Sequence, residues 1–162
     1  MNNTVEASID LRDWDTRFLD LSEHISKWSK DPSTKVGAVI VDDYRRIVST
    51  GYNGFPQGVM DSYDRLADRD IKYEMVIHAE ANAILFAHQR MNGMTLYTTP
   101  FQPCSRCASL IIQSGISRVI SYDIDDSNDL FENRWTNSFK LAKQLFDEAG
   151  VELLLLEKVY NV

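Results

Sequence analysis

The chain has 162 residues, 44% hydrophobic and 25% charged, a globular balance whose length fits one domain over 1–162. Its 17 Lys and Arg against 24 Asp and Glu leave a net charge of −7, so no global positive field draws it to nucleic acid polymers or anionic membranes. The only cysteines, Cys104 and Cys107, form a C-x-x-C; that excludes a disulfide-stapled scaffold and poses a metal or redox site instead.

In chain order, Trp14, Phe18, Leu21, Ile25 and Trp28 recur every three or four residues and predict a helix over about 12–30. Asp31-Pro32 closes it, because the residue before proline avoids the α region. Val36 to Val41 is a short, β-branched, apolar run and predicts a buried strand. Asp42 to Arg45 reads as a turn, and Ile47 to Thr50 as the returning strand of a hairpin. Gly51-Tyr52-Asn53-Gly54-Phe55-Pro56-Gln57-Gly58 reads as an ordered loop. A polar connection then runs to about Val76, and a loop segment over about 51–76 is long enough to be functional. Helices are predicted over about 78–90, 104–113 and 129–149, with Gly93, Gly115 and Gly150 at their ends. Strands are predicted over 94–98, 118–122 and 151–156. A hairpin followed by alternating helices and strands implies an α/β sandwich with helices on both faces of the sheet.

The N-terminal residues lack a basic region followed by an apolar run. The longest strongly apolar run, Val151 to Leu156, falls far short of the roughly 20 residues that span a bilayer. The expected location is cytoplasmic, or the host cytoplasm if the source is viral, with no membrane partner.

Two fragments carry chemistry: His78-Ala79-Glu80 and Pro103-Cys104-Ser105-Arg106-Cys107. Zinc prefers imidazole nitrogen and thiolate sulfur in a tetrahedral site. Two cysteines three apart at a helix start can reach one ion, and the helix terminus favours their thiolates. His78 makes a third ligand, and the open fourth position marks a catalytic rather than a structural zinc. Glu80 can stand beside that position and move protons. H-x-E followed by P-C-x-x-C is the signature of zinc deaminases. Two other readings remain to be weighed. One is a thioredoxin-like redox pair, which the upstream H-x-E does not suit; the other is a structural zinc with His24 or His88 as fourth ligand.

The chain resembles the deoxycytidylate (dCMP) deaminases of the cytidine deaminase superfamily from about Trp28 to Val151. The resemblance rests on Ser29-Lys30-Asp31-Pro32 with Lys35-Val36-Gly37-Ala38, on Gly51 to Pro56, and on Lys72-Tyr73. His78 to Ile84 and Pro103-Cys104 with Cys107-Ala108 complete it. It implies a three-layer α/β/α cytidine-deaminase-like sandwich around a mixed, about five-stranded sheet. It further implies hydrolysis of dCMP to dUMP and ammonia for thymidylate synthesis, with one catalytic Zn2+ per chain on His78, Cys104 and Cys107. Glu80 then carries the proton to N3 and on to the leaving amine, and the Ala79 N–H bonds the pyrimidine carbonyl. Asn53 matches the superfamily asparagine that contacts the sugar, against a plainer role in a left-handed turn. Lys30, Lys35 and Arg106 are the candidates for the phosphate, with Ser29 or Thr34 donating hydroxyls. Tyr122 is placed to stack on cytosine, with an ordinary core-edge tyrosine equally open.

The family resemblance also implies allostery, with dCTP and Mg2+ activating and dTTP inhibiting. The effector residues fall on Gly51, Asn53, Gly54, Phe55, Gly58 and Asp61, against a rigid structural loop as the alternative. Family members are commonly hexamers, so a homo-oligomer is expected. Two other functions stay open: a deaminase of dCTP or of both nucleotides, and a catalytically silent nucleotide-binding or polynucleotide-editing relative. The net charge weighs against a polynucleotide substrate, which needs an extended basic track.

Overall fold

Alternation along the strands sets the layering, because successive side chains point to opposite faces of a sheet. In the computed structural model, which describes residues 13–124 and 133–158, strand β1 (Gly37–Val41) is buried along its whole length. Ala38 and Ile40 enter one apolar cluster, while Val39 and Val41 enter another. With β2 (Ile47–Tyr52), β3 (Thr95–Thr99), β4 (Arg118–Tyr122) and β5 (Glu152–Leu156) it forms a five-stranded sheet in the order β2-β1-β3-β4-β5. β1 runs antiparallel to β2 and β3, whereas β3, β4 and β5 are mutually parallel. A tight hairpin can join antiparallel neighbours, but parallel ones need a crossover. Helices α5 (Ser105–Gln113) and α6 (Asn133–Ala149) provide the two crossovers.

Helix α1 (Trp14–Ser26) covers one face with Phe18, Leu19 and Ile25 against Val39, Val41, Tyr97 and Ile120. On the other face, Ala79 and Ala83 of α4 (Ala79–Phe86) join Ala108 and Ile111 of α5 and Ala142 and Phe146 of α6. The three-layer α/β/α sandwich with a mixed sheet is therefore present as expected. Asp13 caps α1 by accepting the Thr16 N–H at 2.8 Å. Asp15 then ties the helix to the sheet: it accepts both terminal nitrogens of Arg118 at 3.1 and 3.0 Å and the Tyr97 hydroxyl at 2.7 Å.

Four boundaries differ from the expectation. α1 ends at Ser26 rather than near residue 30, because Lys27, Trp28 and Ser29 each bond a carbonyl three residues back and tighten the last turn. α4 stops at Phe86, where His88 takes a left-handed φ of 53°. β2 continues through Tyr52, so Gly51 belongs to a strand and not to the loop. The polar connection holds two short helices, α2 (Tyr63–Ala67) and α3 (Arg69–Met75). Residues 125–132, at the start of the helix expected from 129, lie outside the described residues. Among those described, no helix is long and apolar enough to cross a membrane.

Candidate active site

Two helix starts converge on one point. His78 is the N-cap of α4 and Cys104 the N-cap of α5, with Cys107 in the first turn of that helix. His78 makes no side-chain capping bond to α4, and the Cys104 thiol turns to Cys107 and His78, so both N-cap side chains face one shared point. The segment leading into His78 is fixed by a two-bond bridge: Gly54 N–H donates to Ile77 O at 3.1 Å and Ile77 N–H to Gly54 O at 2.8 Å. Asn82 reinforces it, donating to Tyr52 O at 2.8 Å. The glycine-bearing turn thus positions the histidine.

The donor set fits zinc. His78 Nδ1 lies 3.5 Å from Cys104 Sγ and 3.4 Å from Cys107 Sγ. A tetrahedral ion with Zn–N near 2.05 Å and Zn–S near 2.3 Å needs N···S of about 3.6 Å. The cysteines are not disulfide-bonded, and both helix N-termini favour thiolate charge. His24 and His88 do not join the cluster. Among the described residues the ligand group is His78, Cys104 and Cys107, which removes the structural-zinc reading and leaves one position of a tetrahedron open. His78 between the two sulfurs likewise does not suit a redox pair.

The electrostatics follow from burial and contact. A hydrogen bond from Cys107, and another from His78, hold the Cys104 thiol well below the usual thiol range, against the opposing effect of burial. The bond to Cys104 and burial push Cys107 up. His78 is raised, first by its bond to Cys104. Burial raises the Glu80 carboxyl above the usual range, opposed by the charge of His78. Glu80 is 4% exposed, and the Thr98 hydroxyl donates to it at 3.5 Å. A buried carboxyl of this kind holds a proton more readily than a surface one.

These groups open onto a cavity of about 1260 Å³. Of the residues singled out from the sequence, Asn53, Thr34, Ala79 and Tyr122 line it beside His78, Glu80 and Cys104. Asn53 is buried. Its Nδ2 donates to Thr34 O at 2.9 Å and to Asp31 Oδ2 at 3.4 Å, while Oδ1 accepts from Val36 N–H at 2.8 Å. One Oδ1 lone pair remains for a ligand. Ala79 opens α4, where a helix leaves its N–H groups without internal partners.

Four candidates are not brought to the cavity. Ser29 is buried behind Asn53, donating to Asn53 O at 2.8 Å. Lys35 donates back to Ser29 O. Arg106 lies in a shallow groove between α5 and α6. Lys30 instead pairs with Asp61 at 2.7 Å on the surface. Of the effector set, only Asn53 lines the cavity.

Conversely, the structure places Lys72, Arg69 and Ser33 on the cavity wall, none of them singled out beforehand as a site residue. Lys72 is 7% exposed and pairs with the equally buried Asp31 at 3.1 Å. Its only advance signal was Lys72-Tyr73 within the family motifs. Removing one partner of such a pair costs about 3–5 kcal/mol. Asp31→Ala is therefore expected to lower the unfolding free energy by that amount, read as a lower denaturant midpoint at unchanged m-value, and a loss below about 1 kcal/mol would contradict the buried pair.

This geometry defines a zinc-dependent deaminase class, and the comparisons agree. The model of the "Cytidine and deoxycytidylate deaminase zinc-binding region" matches residues 12–123, and the chain belongs to that family. It is 47% identical over 143 residues to an uncharacterized deaminase in the luxG 3′ region of Aliivibrio fischeri, covering 88% of this chain and 93% of that one. It is 38% identical over 148 residues to human deoxycytidylate deaminase, covering 88% and 79%. The crystal structure of dCMP deaminase from cyanophage S-TIM5 in complex with dCMP and dUMP superposes with a TM-score of 0.65 at 26% identity, covering 87% and 95%.

Proposed function

We propose that the chain hydrolyses dCMP to dUMP and ammonia, a supply step for thymidylate synthesis. The observation that carries this is the cluster of His78, Cys104 and Cys107 at a cavity that His78, Cys104 and Glu80 line, in a chain similar to relatives named for that activity. When bound, zinc on the three ligands polarises a water molecule so that it is a nucleophile near neutral pH. Glu80 takes one proton from water as the water oxygen bonds to C4 and delivers it to N3; it then takes the second proton from the new C4 hydroxyl and gives it to the amino group, which leaves as ammonia as the C4–N bond breaks and the C4 carbonyl forms. The Ala79 N–H bonds the pyrimidine carbonyl. Asn53 Oδ1 accepts a sugar hydroxyl with its remaining lone pair, and Tyr122, at the cavity wall, offers a face to the base.

The reading extends to control by dCTP with Mg2+ and by dTTP at the segment of Gly54, Phe55, Gly58 and Asp61. Those residues do not line the catalytic cavity, as a separate effector site requires. A homo-oligomer, hexameric as in the family, is part of the same reading. Leu85 and Phe86 on α4 are 62% and 57% exposed, and Trp28 is 54% exposed, apolar surface that subunit contacts would cover.

The test is deamination of cytidine, dCMP, dCTP and single-stranded DNA, each with and without dCTP or dTTP as effector. dCMP is expected to lead. Turnover of dCMP no faster than that of cytidine would remove the nucleotide assignment, and indifference to both triphosphates would remove the regulatory part.

A further inference from the structure

The charges along the cavity wall are segregated. On the side built by the 31–34 turn and α3, the charged residues among the described lining are Arg69, Lys72 and Asp31. On the side built by the ends of β4 and β5, the charged residues among the described lining are Asp123, Glu157 and Lys158. That cation is itself held by Glu23 at 3.1 Å. An anion entering this cavity is therefore drawn toward α3 and repelled from the β4–β5 end.

The α3 side is also built to hold one. The Lys72 ammonium donates to Asp31 Oδ1 at 3.1 Å and to Ser33 Oγ at 3.2 Å. An ammonium has three hydrogens, and the third has no partner among the described residues. The Ser33 oxygen accepts from Lys72, which leaves the hydroxyl hydrogen free to turn outward. Arg69 lies one turn before Lys72 on α3, so the two share a helix face. Its Nε donates to the Tyr73 hydroxyl at 3.3 Å, which directs the guanidinium. Asp31 also accepts the Ser33 and Thr34 N–H groups at 2.8 and 3.2 Å, so it sets the turn and the ammonium together.

We propose that Lys72, Arg69 and the Ser33 hydroxyl form the anchor for the substrate's 5′-phosphate, with Asp31 as the residue that positions it. This rests on the nucleotide reading above and replaces Lys35 and Arg106 as the phosphate cations. Lys72 is a fixed, desolvated donor, and Arg69 is the outer, more exposed one that closes on the phosphate with paired N–H groups.

Binding of the product separates the anchor from the reading it rests on. Calorimetry with zinc-loaded protein compares dUMP with deoxyuridine, alongside the kinetics of dCMP against deoxycytidine. Arg69→Gln is expected to weaken dUMP by about tenfold to a hundredfold, the range for losing a charge-assisted hydrogen bond, with a smaller change for deoxyuridine. The double variant Asp31→Asn/Lys72→Gln replaces the ion pair by a neutral pair of similar shape and is expected to fold, with circular dichroism as the check. It too should lose dUMP affinity selectively. Lys35→Gln and Arg106→Gln should keep dUMP affinity within about twofold. If the wild-type protein prefers dUMP but Arg69→Gln keeps that preference, the anchor is overturned alone. Equal losses for dUMP and deoxyuridine overturn it as well. If the wild-type protein binds dUMP no more tightly than deoxyuridine, the nucleotide reading falls and takes the anchor with it.

Discussion

Glu80→Gln is expected to lower kcat/KM for dCMP by about 10²–10⁴ while the protein keeps one equivalent of zinc and its fold. The side chain lies two positions from His78 at the start of α4, is 4% exposed, and touches the Thr98 hydroxyl. Glutamine fills the same space and can still accept that hydrogen bond, but it cannot take a proton from water and return it to nitrogen. Glu80 is outside the ligand group of His78, Cys104 and Cys107, so metal content should not follow activity down. Stability provides an independent readout. A carboxylate buried this deeply is costly to keep charged, and removing it should leave the thermal midpoint unchanged or raise it. Loss of zinc in parallel with turnover would make Glu80 a ligand or a structural group. Retained turnover would remove it from proton transfer.

The zinc centre was legible because chemistry restricts residue type there more tightly than packing does elsewhere. Imidazole and thiolate at set spacings have few alternative explanations, and His78, Cys104 and Cys107 do lie together. The layering was legible for a different reason. The apolar run of β1 and the period of α1 report burial directly, and both elements form. The phosphate-side cations were not legible. Lys35 and Arg106 were attractive by their neighbours in sequence, but one points back to Ser29 O and the other sits between α5 and α6. Lys72 falls in a polar stretch without apolar periodicity. That stretch is helical all the same, and the residue α3 buries is this lysine. A helix whose inward residue is charged carries no hydrophobic period to read. Its start did carry a signal: Asp68 accepts the Asp70 and Ile71 N–H groups at 3.0 and 3.1 Å, the N-cap pattern of a short helix.

Gly51→Ala, at the end of β2, is expected to do more damage than a methyl added at Gly54 in the turn that follows. A Cβ at position 51 would lie 2.3 Å from Ala79 O, 2.4 Å from Ala83 N and 3.0 Å from Ala83 Cα. All three are backbone atoms of α4, so no side-chain rotation relieves the clash. Either the end of β2 or the start of α4 must move. Overpacking of a core costs about 1–3 kcal/mol and sometimes more, and here the displaced helix begins with His78 and Glu80. A shift of about 1 Å in such groups can cost roughly 10²-fold in rate. Gly51→Ala should therefore lose stability, zinc retention and turnover together. Gly54 supplies the contrast within the same sequence motif. A Cβ there meets nothing within 4 Å, and its bridge to Ile77 uses backbone atoms that alanine also has. Gly54→Ala should keep thermal stability within about 1 kcal/mol of wild type. Thermal unfolding and zinc analysis of both variants check this. Equal tolerance at the two positions would mean that the contact between β2 and α4 does not hold the catalytic helix in place.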